Sequence, residues 1–321
     1  KYTATGNSLE LEVRLHDVFQ GRRVFSKRLL GRVDEHRRLV HRLSNELLNL
    51  LTGQEGMYLS RIAYVNKHDK HKEIFTCDVD GHNRRQITFD DSIALLPRWS
   101  PGGEKIVYNS YKEGGLMLYI RDLSTGQDRR ISSREGLNTG ACWAPDKESL
   151  ALTLSRGDNP DIYLIDLKGS ILKRLTDHWG IDVSPSFSPD GLKLAFVSNR
   201  SGSPQIYVYD LKTGEERRIT YEGNYNTSPS WSSRNRIAYA GMNNGRFDIF
   251  TINPDGSDLQ NLTKGRGNNE DPCWSQDGRY IVFSSNREGR YHLHLMTAGG
   301  RLQKRITFQD GEQTSPSWSP Y

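Results

Sequence analysis

The sequence predicts a mainly β fold: a six-bladed β-propeller closed by its C-terminal strand, behind a short β-β-α segment. Three observations predict it. An aromatic residue followed by turn chemistry recurs as Trp99, Trp143, Phe187, Trp231, Trp274 and Trp318, spaced 44, 44, 44, 43 and 44 residues apart, and a fixed period of this size marks a repeat architecture. Each period holds four short strand signals. The strand signals left over at the two ends of the repeat array complement one another.

Residues 1–56 lie outside the repeat. Leu9, Leu11, Val13 and Leu15 alternate with polar residues, the pattern of a half-buried strand. A turn at Gly21 leads to a partner strand over 22–30. From Asp34 to Leu51 the spacing becomes helical: Leu39, Leu43, Leu47 and Leu51 fall on one stripe, flanked by Val40 and Leu50. Thr52-Gly53 supplies the stop. A piece this small is marginal as a domain. It either leans on the propeller or is the remainder of a larger α/β domain; an opening at Lys1 in polar sequence predicts a processed or trimmed chain.

Residues 57–321 carry the repeat, and 184–220 show one copy of it. Pro185-Ser-Phe-Ser188 is a short strand, and Pro189-Asp190-Gly191 is a tight turn. Strands over 192–198, 206–210 and 217–220 come after it, separated by a polar loop and by the turn Lys212-Thr213-Gly214. Four antiparallel strands in a meander make a propeller blade. Fourth strands recur with the ends Ile87-Thr88, Ile131-Ser132, Leu175-Thr176, Ile219-Thr220, Leu262-Thr263 and Ile306-Thr307. No aromatic motif precedes the second-strand signal Arg61-Ile-Ala-Tyr-Val65, and no second strand comes after Trp318. Residues 315–320 are therefore expected to complete the blade begun at residue 61, which leaves no exposed ring edge.

Composition excludes some functions. The net charge is +5, with 10 Lys/Arg against 7 Asp/Glu in residues 1–56. The charges are interleaved without a basic block, so no nucleic-acid partner is expected. No apolar run approaches the ~18 residues of a membrane span. Cys142 and Cys273 hold the same repeat position three repeats apart. In a ring of six they face each other across the axis, too far apart for a disulfide.

The chemistry of a catalyst is thin. There is no Gly-x-Ser-x-Gly elbow for a nucleophilic serine. His292-x-His294 on a strand would place both rings on one face, a spacing that can hold a metal, but a lone pair more often packs, and no metal or cofactor is expected. Asp78-Val-Asp-Gly81 and Asn253-Pro-Asp-Gly256 resemble fragments of calcium loops yet lack the full ligand run, and they read as strand-to-strand turns. Carboxylates lining the channel could supply oxygens to a calcium ion, though the sequence does not demand one.

Ser-Pro-Asp-Gly after the aromatic, Ala-Phe-Val-Ser-Asn-Arg in the second strand and Ile-Tyr-x-x-Asp in the third resemble the TolB-type propeller repeat. The order of the whole chain is more specific. Leu-Leu-Thr-Gly ends a helix, Arg-Ile-Ala-Tyr-Val comes next, then six blades, then Trp-Ser-Pro-Tyr, and this order is similar to the TolB family over essentially all 321 residues. The resemblance implies a partial α/β domain in 1–56 and a six-bladed propeller in 57–321. It implies a non-enzymatic periplasmic scaffold of the Tol–Pal system, serving outer-membrane integrity and cell division. The partner it implies at the channel mouth is the peptidoglycan-associated lipoprotein Pal, which colicins can imitate. TolA would be contacted by an N-terminal segment outside this sequence.

The resemblance places Pal binding just before neighbouring first strands, at Leu137, Asn138 and Gly140 in one loop and at Asp182 and Val183 in the next. The family often has His where this chain has Leu137. Position in the repeat adds Asn226, Thr227, Glu270, Asp271, Gln313 and Thr314; the plainer expectation for all of them is a turn role at strand entry. The competing reading is a propeller enzyme acting on glycans or peptides at the channel mouth. It would draw on Asp182, Glu270 and Asp271 with His178 nearby, a small set for acid–base work.

Overall fold

The computed structural model of the chain describes residues 1–155 and 159–320. Tyr321, the last residue of the closing motif, lies outside the described residues. The chain divides into two units, Lys1–Leu59 and one that begins at Ser60.

The first unit is a three-stranded antiparallel sheet, Tyr2–Thr5, Ser8–Asp17 and Arg22–Arg32, followed by a helix over His36–Thr52. The edge strand Tyr2–Thr5 has no hydrophobic alternation and is exposed throughout, which is why the sequence does not announce it. The predicted helix start at Asp34 is a 3-10 turn, Val33–Glu35. Gly53 ends the helix at φ 68°, its N–H donating to Asn49 O at 2.7 Å. Of the leucine stripe, Leu39 is buried while Leu51 is exposed. Lys27 reaches from the sheet to Glu46 on the helix at 2.6 Å.

The second unit contains six four-stranded antiparallel sheets. The inner strands are Ala94–Trp99, Asn138–Trp143, Asp182–Phe187, Asn226–Trp231, Asn269–Trp274 and Glu312–Trp318. The last of these pairs with Arg61–His68, so the sixth blade is assembled from both ends of the unit, as expected. Each inner strand contacts the next, and Glu312–Trp318 contacts both Asn269–Trp274 and Ala94–Trp99, which closes the ring. The core lies between blades rather than within them. Ile131 and Val107 of one blade pack on Trp143 and Leu152 of the next, and the joint at the closure, with Ala63 and Ile74 against Trp99 and Tyr108, is built alike. A single blade has no such layer of its own, so the ring is the unit of stability.

The recurrent Ile/Leu-Thr at the fourth strands has a specific cause. The hydroxyl oxygens of Thr88, Thr176, Thr220, Thr263 and Thr307 accept the N–H of Ile74, Ile162, Ile206, Ile249 and Leu293 at 2.8–3.0 Å. Four of the five donate their protons to third-strand acceptors, Glu73, Asp161, Gln205 and Asp248. Each fourth strand is thereby pinned to the third where backbone pairing stops. The turn Asp78–Gly81 belongs to the same economy of space: a Cβ on Gly81 would overlap Ile306 O of the adjacent blade.

Every inner strand contains a bulge. The register shifts between Leu95 and Arg98, and at the equivalent place in the other five strands. The residue three before each aromatic is left-handed: Leu96, Gly140, Ser184, Ser228, Asp271 and Ser315, with φ between 51° and 65°. Inner strands are consequently longer than the aromatic motif predicts, since pairing resumes on the far side of the bulge.

Candidate functional site

The bulges shape the channel mouth at the strand-entry end. The residue five before the aromatic is a buried polar anchor in five of the six inner strands, the exception being Ala94. Asn138 donates to Arg134 O at 2.6 Å and Gly136 O at 3.1 Å. Asn226 donates to Glu222 O and Gln205 Oε1 at 2.9 and 2.8 Å. Gln313 donates to Asn66 Oδ1 at 2.8 Å and accepts His292 Nδ1–H at 2.6 Å. Asp182, with no exposed surface on its side chain, accepts Arg200 Nη2–H at 2.6 Å. These four candidates hold their own loops in place and do not meet solvent. Asn269, absent from the sequence-based set, plays the same part, donating to Arg266 O at 3.2 Å.

The next two positions are mostly less buried, although Ser315 is buried as the anchors are. Val183, Thr227, Glu270 and Thr314 are half-buried, as are Gly140 and Asp271 at the bulge itself. Leu137 stands on the rim, 38% exposed. Asp271 ties three blades together: Ser228 Oγ–H donates to Oδ1 at 3.0 Å and Ser315 Oγ–H to Oδ2 at 3.1 Å. Glu270 accepts the Tyr291 hydroxyl. Burial raises the Glu270 carboxyl above its ordinary range, and the Asp271 charge adds to this. The mouth is thus acidic on one side and neutral where Leu95, Leu137 and Val183 lie. Ser184, Ser228 and Ser315 belong to the same inner ring and escape sequence reasoning. Their signal is only an offset of three from the aromatic, and serine does not advertise a positive φ.

The His292-x-His294 pair does not converge on a ligand. His292 Nδ1 is used on Gln313, and His294 Nδ1 faces His292 O at 3.2 Å. No group of three or more His, Cys, Asp or Glu among the described residues could hold a metal ion. Burial lowers both imidazoles below the ordinary value of 6.5. The unfolded chain therefore takes up these protons first, and stability falls as pH drops below about 6.5 toward the lowered native values. His292→Gln, which installs the side chain found at Gln205, is expected to flatten this loss. Urea melts at about pH 7.5 and 5.5 check it; an unchanged pH slope in the variant would exclude His292 as its source.

No helix among the described residues is long and apolar enough to cross a membrane. A family model described as the TolB beta propeller domain matches residues 48–321. The Tol-Pal system protein TolB of Desulfosudis oleivorans is 43% identical over 136 residues, which cover 42% of this chain and 31% of that protein. The chain thus spans about a third of the length of the curated relatives it matches. The crystal structure of TolB from Acinetobacter baumannii superposes with a TM-score of 0.89 at 29% identity, covering 100% of this chain and 82% of that one. An oligogalacturonate lyase in complex with manganese shares the fold alone, with a TM-score of 0.51 at 15% identity, over 78% of this chain and 74% of that one. By a match across the repeat array and by the ring it folds into, the chain belongs to the TolB β-propeller family.

Proposed function

We propose that the chain is a non-enzymatic protein-binding scaffold of the Tol–Pal cell-envelope system, working in the periplasm and receiving the lipoprotein Pal at the strand-entry mouth of its channel. Residues 57–321 act as the propeller and 1–56 as the C-terminal part of an α/β domain. Colicins would use the same mouth, and TolA a segment outside this sequence. Family membership and the Tol-Pal names of its relatives support the system.

The observation that carries the binding reading is the preorganised mouth. Its loops are pinned by buried anchors, so little ordering is lost on binding. Its carboxylates are already engaged, Glu270 by Tyr291 and Asp271 by Ser228 and Ser315. Acids held this way suit recognition better than proton transfer. Val183, Thr227 and Leu137 offer the neutral contact surface beside them.

Calorimetric titration with purified Pal tests the reading. Val183→Arg/Thr227→Arg is expected to weaken binding at least about tenfold, since an unpaired charge would be forced into the contact. A folded double variant that binds Pal as the parent does would place the contact elsewhere. Failure of the parent to bind would sink the proposal for this chain.

A further inference from the structure

The far end of the same inner strands carries a second ring. The residue before each aromatic is Arg98, Cys142, Ser186, Ser230, Cys273 or Ser317. The small members staple neighbouring blades. Ser186 accepts Trp231 N–H at 3.0 Å, Ser230 accepts Trp274 N–H at 3.4 Å, Cys273 accepts Trp318 N–H at 3.3 Å and Ser317 accepts Trp99 N–H at 3.2 Å. The Arg98 guanidinium has only donors and cannot accept that N–H. The Trp143 indole N–H is donated to Arg98 O at 3.1 Å, a bond that the Trp274 indole also makes to Ser230 O.

Arg98 lines a chamber of about 290 Å³ at this end of the channel. The same chamber is lined by Cys142 and Cys273, which lie three repeats apart, so Arg98 shares it with residues from across the ring. Among the described residues Arg98 is in no ion pair, and the one hydrogen bond of its side chain runs from Nη1 to Pro97 O at 2.9 Å. Every other lining residue is uncharged in kind, Cys142 and Cys273 being thiols that burial pushes further from ionisation.

We propose that this chamber is a binding site for a monocarboxylate, gripped by the Arg98 fork. The planar guanidinium matches a carboxylate with two parallel hydrogen bonds. Ser186 and Ser230, whose oxygens accept backbone N–H groups, keep their own protons to donate. Pro145, Pro189, Pro320 and the indole edges give a short apolar body somewhere to lie. One positive charge offsets one negative charge. A phosphate dianion would leave a charge unmatched against these walls. The carboxylate can come from a small organic acid or from the C-terminus of a peptide.

Titration of the whole chain, followed by tryptophan fluorescence at constant ionic strength, tests this with sodium acetate, N-acetyl-trialanine, its C-terminal amide and inorganic phosphate. Arg98→Ser is the variant, because serine already occupies this position in three blades and the fold tolerates it there. Saturable binding of N-acetyl-trialanine is expected, weakened about tenfold or more by amidation or by Arg98→Ser. Acetate binding as well as the peptide assigns the site to small acids; a much tighter peptide assigns it to chain termini. No saturation with either acid, equal binding of acid and amide, unchanged binding in Arg98→Ser, or a preference for phosphate would each overturn the proposal. The acid–amide comparison needs no variant to fold.

Discussion

Trp318→Ala is expected to cost the propeller about 3–5 kcal/mol, and removal of residues 312–320 to abolish its cooperative unfolding. Trp318 is 7% exposed, and its indole N–H donates to Ser60 Oγ at 2.7 Å. Its strand is the inner edge of the blade that begins at Arg61, tied there by Ser319 N–H to Arg61 O and Arg61 N–H to Ser319 Oγ, each at 2.8 Å. Ser317 also holds the N–H of Trp99 in the first blade. Losing the strand uncovers two interblade layers at once and exposes an unpaired edge. Urea melts of the variant against Trp179→Ala, which alters a tryptophan 68% exposed, measure the difference. Equal midpoints for the two would show that the closing strand does not hold the ring.

Arg200→Ala should be comparably severe, about 3–5 kcal/mol, because it strands a buried carboxylate. Arg200 pairs with Asp182 at 2.6 Å and with Glu216, and donates from Nε to Ser198 Oγ at 2.8 Å. Its guanidinium lies 5.5 and 5.0 Å from the ring centres of Phe196 and Tyr207. Burial already raises the Asp182 carboxyl against the pull of Arg200. Without the arginine the neutral acid is favoured further, so the penalty shrinks as pH falls through that raised value. Asp182→Asn in the same background should recover much of the loss, since asparagine fills this anchor at Asn138, Asn226 and Asn269. Additive costs in the double variant would mean that the two residues do not act as a pair.

The ring was legible because its evidence is periodic. Trp99 to Trp318 mark the blades, and the unmatched Arg61-Ile-Ala-Tyr-Val65 and Trp318 signals point to one another across the chain. The interior of each inner strand was not legible. Only Gly140 of the six left-handed bulge residues is a glycine; Leu96, Ser184, Ser228, Asp271 and Ser315 take that conformation at the register shift, where residue type gives no warning of it. The same limit affects the mouth. Asn138, Asp182, Asn226 and Gln313 read as polar turn residues at a surface, and the structure buries them. Gln205 and Asn66, which satisfy Asn226 and Gln313, lie 21 and 247 residues away, beyond the reach of a local pattern. Arg98 is visible in the sequence as one odd residue in a column of serines and cysteines. Its significance needs the column to be a ring.

The blade that joins residue 62 to residue 318 also sets an order of events. As the chain emerges from a ribosome or a translocation pore, five meanders are complete in sequence before the sixth has its inner strand. Contacts of this separation are slow to form, and partly closed species expose unpaired edges while they wait. The Arg61–His68 edge would therefore be the surface most in need of protection in the nascent protein. An excess of synthetic peptide spanning residues 312–320 should compete for that edge during refolding, yet leave the finished ring untouched.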